Sequence, residues 1–299
     1  MTTWTRFFFV DVFAHRPLTG NALAVVPDAD GLTVGQMQDI AREFNQSETT
    51  FLLQPSQPGI DWRLRCFTPI GAEVGGAGHN ALGAWLWLTD AGLTGDEPTR
   101  RMTQQIGDDV LQVEIVRRPG QPPLVVMDQS PPKFSRIVAA DDRLCEALGL
   151  GREDLATDRP TQVVSTGTPH LLVAAVDRDA VDRAAPDARS LAAILVEVGG
   201  EGCYLYTTAR TDPADGTHAY SRFFNPTMGI AEDPATGTAA GPLAVALVHS
   251  QHLPNGTPVI IEQGHRIGRP SRIRVDVEGD RVRLSGSGII SGKGQLRLS

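Results

Sequence analysis

Apolar positions along the chain fall into short runs rich in β-branched and aromatic residues, broken by a few stretches with helical spacing. The runs predict strands over 6–13 (RFFFVDVF) and 22–26 (ALAVV), and the spacing at 34–44 predicts a helix after them. Over 45–53, NQSETTFLL passes from polar residues into a β-branched and apolar strand, and a further strand covers 61–67. An apolar helix over 79–88 and a strand pair within 102–116 complete the first half. The second half has strands over 161–165 and 170–176, a helix over 190–198, strands over 203–208 and 219–224, a helix starting near 236 and a strand pair within 260–277. After Gly279 no helical pattern remains, so the tail supplies strands only and is expected to return to the first domain. Strands outnumber helices and join through short turns, which predicts an α/β chain with mixed sheets, each wrapped around one apolar helix.

The pattern also repeats. RCFTPIGAEVGGAGHNALGAWLWL (65–88) returns in altered form as RFFNPTMGIAEDPATGTAAGPLAVAL (222–247), with Phe67 and Phe224 157 residues apart. Each copy reads Arg, a large apolar residue, Phe, Thr or Asn, then Pro, followed by an acidic residue, a glycine-rich turn and an apolar helix. A period near half the chain length implies two similar domains, since solenoid repeats are several-fold shorter. RRPGQPP (117–123) is the linker candidate, rich in Pro and Gly and without periodicity. The expected division is 1–118 plus 280–299 for the N-terminal domain and 119–279 for the C-terminal one. Each copy starts a helix from a glycine turn, and two such helix ends facing one cleft would bind an anion such as a carboxylate.

Composition narrows the classes. At 299 residues, with 41% hydrophobic and 21% charged, the chain has an ordinary globular balance for two domains. The net charge of −8, without clustered Lys and Arg, argues against nucleic acid. With no apolar run of membrane-spanning length, and with Asp11 interrupting the N-terminal apolar stretch, the expectation is a cytoplasmic protein with no membrane association. Cys66, Cys145 and Cys203 are far apart in apolar surroundings and read as buried fillers.

Nucleotide motifs are missing: there is no P-loop, and no GxGxxG stands between a strand and a helix. His249 and His252 lack a third ligand and read more readily as a solvated helix end than as a metal site. Ser165, Thr166 and His170, around GTPH, lack the GxSxG elbow of a serine hydrolase. Acid and base chemistry remains. Glu48 opens a strand after polar residues, where a carboxylate has no structural task. Glu232 and Asp233 precede a glycine turn, where Asp233 alone would also serve as a helix cap. His79 follows Gly78 at a helix start, where the dipole would keep its ring neutral, and it is equally readable as a satisfied polar residue there.

Together GNALAVV, SETTFLL, CFTP with GAGHNALG, EDPATGTAAGPLA and QGHRIGRPS resemble the phenazine-biosynthesis isomerase (PhzF) family of the diaminopimelate epimerase superfamily, in order over nearly the whole chain. The resemblance implies two pseudo-symmetric epimerase-like domains, each a curved sheet around a central helix, with the active site in the cleft between them. It also implies a homodimer and no cofactor or metal. Residue by residue, Glu48 matches the family's proton-shuttling glutamate, Asp233 its partner aspartate, and Gly78 with His79 the substrate-contacting pair. Thr238 stands where the family often has Ser, beside Gly237, and Asn21 matches a polar substrate contact. Racemases of the superfamily use one cysteine at each glycine turn. Those positions are Ala77 and Thr236 here, so two-thiol racemisation is not available and a single carboxylate would isomerise instead.

The expected reaction is movement of a proton within a small cyclic amino acid. Its carboxylate would rest on backbone N–H groups near Gly78 and Gly237 with Thr238. Glu48, its pKa raised toward neutrality by burial, would shuttle the proton, and Asp233 and His79 would hold the amine or ring. In the best-known family activity the substrate is trans-2,3-dihydro-3-hydroxyanthranilate. Gly75 and Gly76 depart from the bulkier apolar stretch of phenazine-pathway members, which keeps open a different small amino or keto acid as substrate. A non-catalytic binding protein is the third reading, disfavoured by the presence of both Glu48 and Asp233.

Overall fold

The computed structural model describes residues 4–76, 78–209 and 216–298 of the chain. In chain order its first elements are β1 (Trp4–Val12), β2 (Asn21–Val26), α1 (Val34–Phe44), β3 (Thr49–Leu53), β4 (Trp62–Phe67), α2 (His79–Asp90), β5 (Thr99–Ile106), β6 (Asp109–Val116) and β7 (Leu124–Gln129). There follow β8 (Lys133–Val138), α3 (Asp142–Leu148), β9 (Thr161–Ser165), β10 (Pro169–Ala174), α4 (Arg178–Arg183), α5 (Ala188–Val198), β11 (Gly202–Thr207) and β12 (Ala219–Asn225). The last are β13 (Ile230–Asp233), α6 (Gly237–His249), β14 (Val259–Gln263), β15 (Ser271–Glu278), β16 (Arg281–Gly286) and β17 (Gly288–Arg297). They divide into two compact units, the first comprising residues up to Met127 and from Ser285 onward, the second Asp128–Leu284. Residues 117–123 form the turn of the antiparallel β6–β7 pair.

The sequence echo is an echo of topology. In the first unit β1–β2 is antiparallel, β2–β3 parallel, β3–β4 antiparallel, β4–β5 parallel and β5–β6 antiparallel. In the second, β9–β10, β10–β11, β11–β12, β12–β14 and β14–β15 alternate in the same way. A parallel joint needs a crossover, and helices supply it: α1 and α2 in the first unit, α4 with α5 and then α6 in the second. The tail does return to the first unit, where β17 runs antiparallel along β1 from Trp4↔Arg297 to Val12↔Gly288.

Each unit is built around one helix. Every residue of α2 from His79 to Leu88 is buried, as are Gly237, Ala239–Val245 and Leu247 of α6. A helix apolar on all sides has no solvent face to offer, so strands surround it: β1, β2, β3 and β17 pack around α2, and β9, β10 and β15 around α6. The outer helices are one-sided. In α1, Met37, Ile40 and Ala41 cover Phe51 and Phe67, and in α5, Leu191, Ile194 and Leu195 cover Leu171 and Leu205. Two short helices, α3 and α4, were not foreseen. With seven and six residues they show little periodicity, and they are fixed by their caps: Asp141 accepts from Leu144 N at 3.0 Å and Asp177 from Ala180 N at 2.8 Å.

Candidate active site

In the first unit the local chain geometry delivers four polar side chains to one place. A capping box of Thr33 and Gln36 starts α1, and Asn45 ends it in the left-handed conformation (φ 49°), turning the chain so that Ser47 and Glu48 lead into β3. Gly20 (φ 66°) lets the chain return tightly against the Val12 carbonyl, where a Cβ would overlap it, and so sets Asn21 at the head of β2. Ser47 Oγ donates to Asn21 Oδ1 at 3.4 Å and lies 3.4 Å from His79 Nε2. His79 Nδ1 lies 3.6 Å from Glu48 Oε2. Burial pushes the imidazole down to about 4, so at neutral pH the ring is uncharged and this is not an ion pair. The sequence reading credited the helix dipole with that neutrality; loss of solvent is the cause. A neutral ring carries one proton, so only one of its two nitrogens can donate; with the Ser47 proton directed to Asn21, that nitrogen is Nε2.

Asn80 is the residue here that sequence reasoning missed. Its Oδ1 accepts from Gly78 N at 2.7 Å and Ala81 N at 2.9 Å, and its Nδ2 donates to Gly76 O at 2.9 Å. The start of α2 is therefore capped by its own side chain, and the Gly78 N–H is committed to Asn80 rather than offered to a ligand. Beneath it, Cys66 on β4 accepts from Thr50 Oγ1 at 3.6 Å, and burial, then the Glu48 carboxylate, push its thiol well above its ordinary range. It stays protonated and inert.

In the second unit the two adjacent carboxylates of the glycine turn part company. Glu232 takes a two-pronged contact from Arg222 at 3.0 and 2.7 Å, and Arg222 also donates to the carbonyls of Val181, Asp182 and Ala184 while lying 4.8 Å over Phe224. The first unit repeats this with Arg65, Glu73 and Phe67. Arg, Phe and the acidic residue of the echo are thus a structural clamp.

Asp233, 6% exposed, points the other way into a hydrogen-bonded network. Gln263 Oε1 accepts from Tyr204 OH at 2.9 Å and from Thr236 N at 3.1 Å, which fixes its amide. Its Nε2 then donates to Asp233 O at 2.7 Å and Thr236 Oγ1 at 3.0 Å. With its oxygen accepting from Gln263, the Thr236 hydroxyl directs its own proton to Asp233 Oδ2. Asp233 is therefore held as a hydrogen-bond acceptor and does not cap α6, whose N-cap is Thr236. Ala77, the other position compared with the racemase cysteines, lies outside the described residues. No side chain caps the start of α6, where Gly237 and Thr238 form the first turn. Helix geometry leaves the N–H groups of that turn without intrahelical acceptors.

Other sequence candidates resolve simply. His249 stacks on Phe134 at 4.7 Å and His252 contacts Arg159 at 3.0 Å. Among the described residues no three His, Cys, Asp or Glu side chains are grouped to hold a metal, and no helix is long and apolar enough to cross a membrane.

Two epimerase-like halves of matching topology, each wrapped around one fully buried helix, define the fold class. The model of the family described as phenazine biosynthesis-like protein matches residues 10–294. The chain is 36% identical to a Pseudomonas fluorescens protein named trans-2,3-dihydro-3-hydroxyanthranilate isomerase, over 98% of this chain and 99% of that one. The solved structure of a Bacillus anthracis phenazine biosynthesis protein of the PhzF family is 27% identical with a TM-score of 0.89, covering 98% of this chain and 99% of that one. At the level of fold alone, a probable proline racemase of Agrobacterium radiobacter aligns with a TM-score of 0.65 at 14% identity, over 99% and 93% of the two chains. The protein belongs to the PhzF family and is an isomerase.

Proposed function

We propose that this isomerase moves a proton within a small cyclic amino acid of the trans-2,3-dihydro-3-hydroxyanthranilate type, by carboxylate acid/base catalysis and without a cofactor. The observation that carries the reading is Glu48 set against a neutral, buried His79. Glu48 takes the proton from an acidified C–H and returns it to a distant carbon of the same conjugated system, so the product is an isomer and no group is consumed. An uncharged ring beside the carboxyl places no fixed cation there to hold Glu48 ionised, which suits a group that alternates between carboxylate and carboxylic acid. Asp233, its oxygen fixed by Thr236, pairs with the substrate amine, and the substrate carboxylate rests on Gly237 and Thr238. Asn21 holds a further polar group through its position beside Ser47.

The test is Glu48→Gln, assayed with trans-2,3-dihydro-3-hydroxyanthranilate. Loss of a general base lowers the rate by two to four powers of ten or so while the ligand still binds. A variant keeping more than about a tenth of the wild-type rate refutes the assignment. The exposed Gly75 and Gly76, which carry no side chains to shape a pocket wall, favour as second reading a different small amino or keto acid. Solvent deuterium entering such an acid, with the anthranilate-type substrate inert, would select it.

A further inference from the structure

We propose that His170 is a positioning residue that turns the Thr238 hydroxyl outward, as a hydrogen-bond donor aimed at the substrate carboxylate. The proposal rests on the assignment of Thr238 to carboxylate binding given above, and it finds a use for the GTPH segment, which that reading leaves idle.

His170, on β10, has no exposed surface. Its Nε2 lies 3.2 Å from Thr238 Oγ1, and its Nδ1 has no hydrogen-bond partner among the described residues. Phe223 packs edge-on against the ring at 5.0 Å between centroids. Burial pushes the imidazole down to about 3, so it is neutral and carries one proton. Two tautomers are then available. A proton on Nδ1 would be a buried donor with nothing to bond to, among the rarest and costliest defects in a folded protein. A proton on Nε2 bonds to Thr238 and leaves only a lone pair unmatched, the lesser cost. The geometry selects Nε2–H.

That choice decides what Thr238 presents. With its oxygen accepting from His170, the hydroxyl must direct its own proton elsewhere, and among the described residues its side chain has no second partner. Gly237, Ala239 and Ala240 are buried while Thr238 is only half-buried, so the proton points to the open side of the first turn. In the other tautomer the hydroxyl would give its proton to the ring and offer only lone pairs, which repel a carboxylate. The turn itself is held still. Gln129 Nε2 donates to Gly237 O at 2.9 Å, and Thr166, in the turn that leads into β10, donates to Gln129 Oε1 at 2.7 Å. Gly241 gives Gln129 its room, since a Cβ there would overlap the amide oxygen.

The experiment has two arms. In wild-type protein with 15N-labelled histidine, long-range 1H–15N correlation should show the His170 ring as the Nε2–H tautomer; an Nδ1–H ring overturns the proposal, and this arm needs no variant to fold. In the second arm, calorimetry compares binding of anthranilate with that of its carboxamide. Wild type should prefer the acid, and Thr238→Val and His170→Met should each lose about tenfold in affinity for the acid with little change for the amide, the scale of one hydrogen bond to a charged group. His170→Gln, which offers an N–H at similar reach, should keep the preference. Equal losses for acid and amide in His170→Met, or none, overturn the proposal. A wild type indifferent to the acid removes carboxylate binding from Thr238, and with it the substrate half of the proposal, while the ring tautomer still decides the direction of the hydrogen bond.

Discussion

Replacing Thr236 by Val removes one hydroxyl and keeps the shape of the side chain, so its effect on turnover reports the link to Asp233. Two hydrogen bonds disappear: the one Thr236 donates to Asp233 Oδ2 and the one it accepts from Gln263 Nε2. Gln263 Nε2 keeps the Asp233 carbonyl at 2.7 Å, but its second N–H, on a side chain with no exposed surface, loses its acceptor; that cost falls on stability, while the loss in turnover reads the charge-assisted bond. Such bonds contribute about 1.5–3 kcal/mol. If Asp233 needs that bond to hold its place in the reaction, kcat/KM with trans-2,3-dihydro-3-hydroxyanthranilate should fall roughly tenfold to 150-fold. Thr236→Ser should restore most of it. Asp233→Asn and the double variant complete a cycle in which the two changes are strongly non-additive, because each removes the same contact. The reasoning fails if Thr236→Val stays within about threefold of wild type, or if the two single effects simply add.

Two further outcomes are expected. Burial holds His79 at about 4 and His170 at about 3, below the free-ring 6.5, so as pH falls below 6.5 the unfolded chain gains protons that the fold refuses; stability is full above that pH and is lost toward acid, by roughly 2 kcal/mol from each ring between pH 7.5 and 5. Urea midpoints at those two pH values measure it, and a flat profile would contradict both assignments. Arg222→Lys should cost about 3 kcal/mol or more, because its pair with Glu232 is buried (side chains 8% and 11% exposed), whereas Arg65→Lys, whose partner Glu73 is 44% exposed, should cost about 1 kcal/mol or less; thermal melts showing equal losses would refute the comparison.

Much of this was readable in the sequence wherever the information is local. Helix α1 and strand β9 fall where periodicity puts them, and the duplicated topology follows from two strings of similar spacing. What escaped is long-range. Gln129, 108 residues from Gly237, and Gln263, 59 from Tyr204, carry no local signature, because a buried amide acquires its task only when the chain brings its partners to it. The roles of Glu232 and Asp233 were likewise not separable by spacing. Adjacent positions on a strand face opposite ways, so one reaches Arg222 and the other Thr236. Asn80 was passed over beside His79, although an amide at a glycine turn is well suited to cap the turn itself.

The long β1–β17 pairing also bears on how the chain comes off the ribosome. The strands of the second unit from β8 to β15 lie between Lys133 and Glu278, and that unit itself extends only to Leu284, so its strands are made before Gly288–Arg297 is. The first unit begins to emerge earlier and must wait. Until Gly288–Arg297 is made, that flank of Trp4–Val12 lacks its partner, a nascent edge rich in phenylalanine and open to association with other chains. Closing it joins residues nearly 300 positions apart, which is the kind of contact that slows folding most. The order of maturation is therefore inverted relative to the order of synthesis, with the half translated later completing its sheet first.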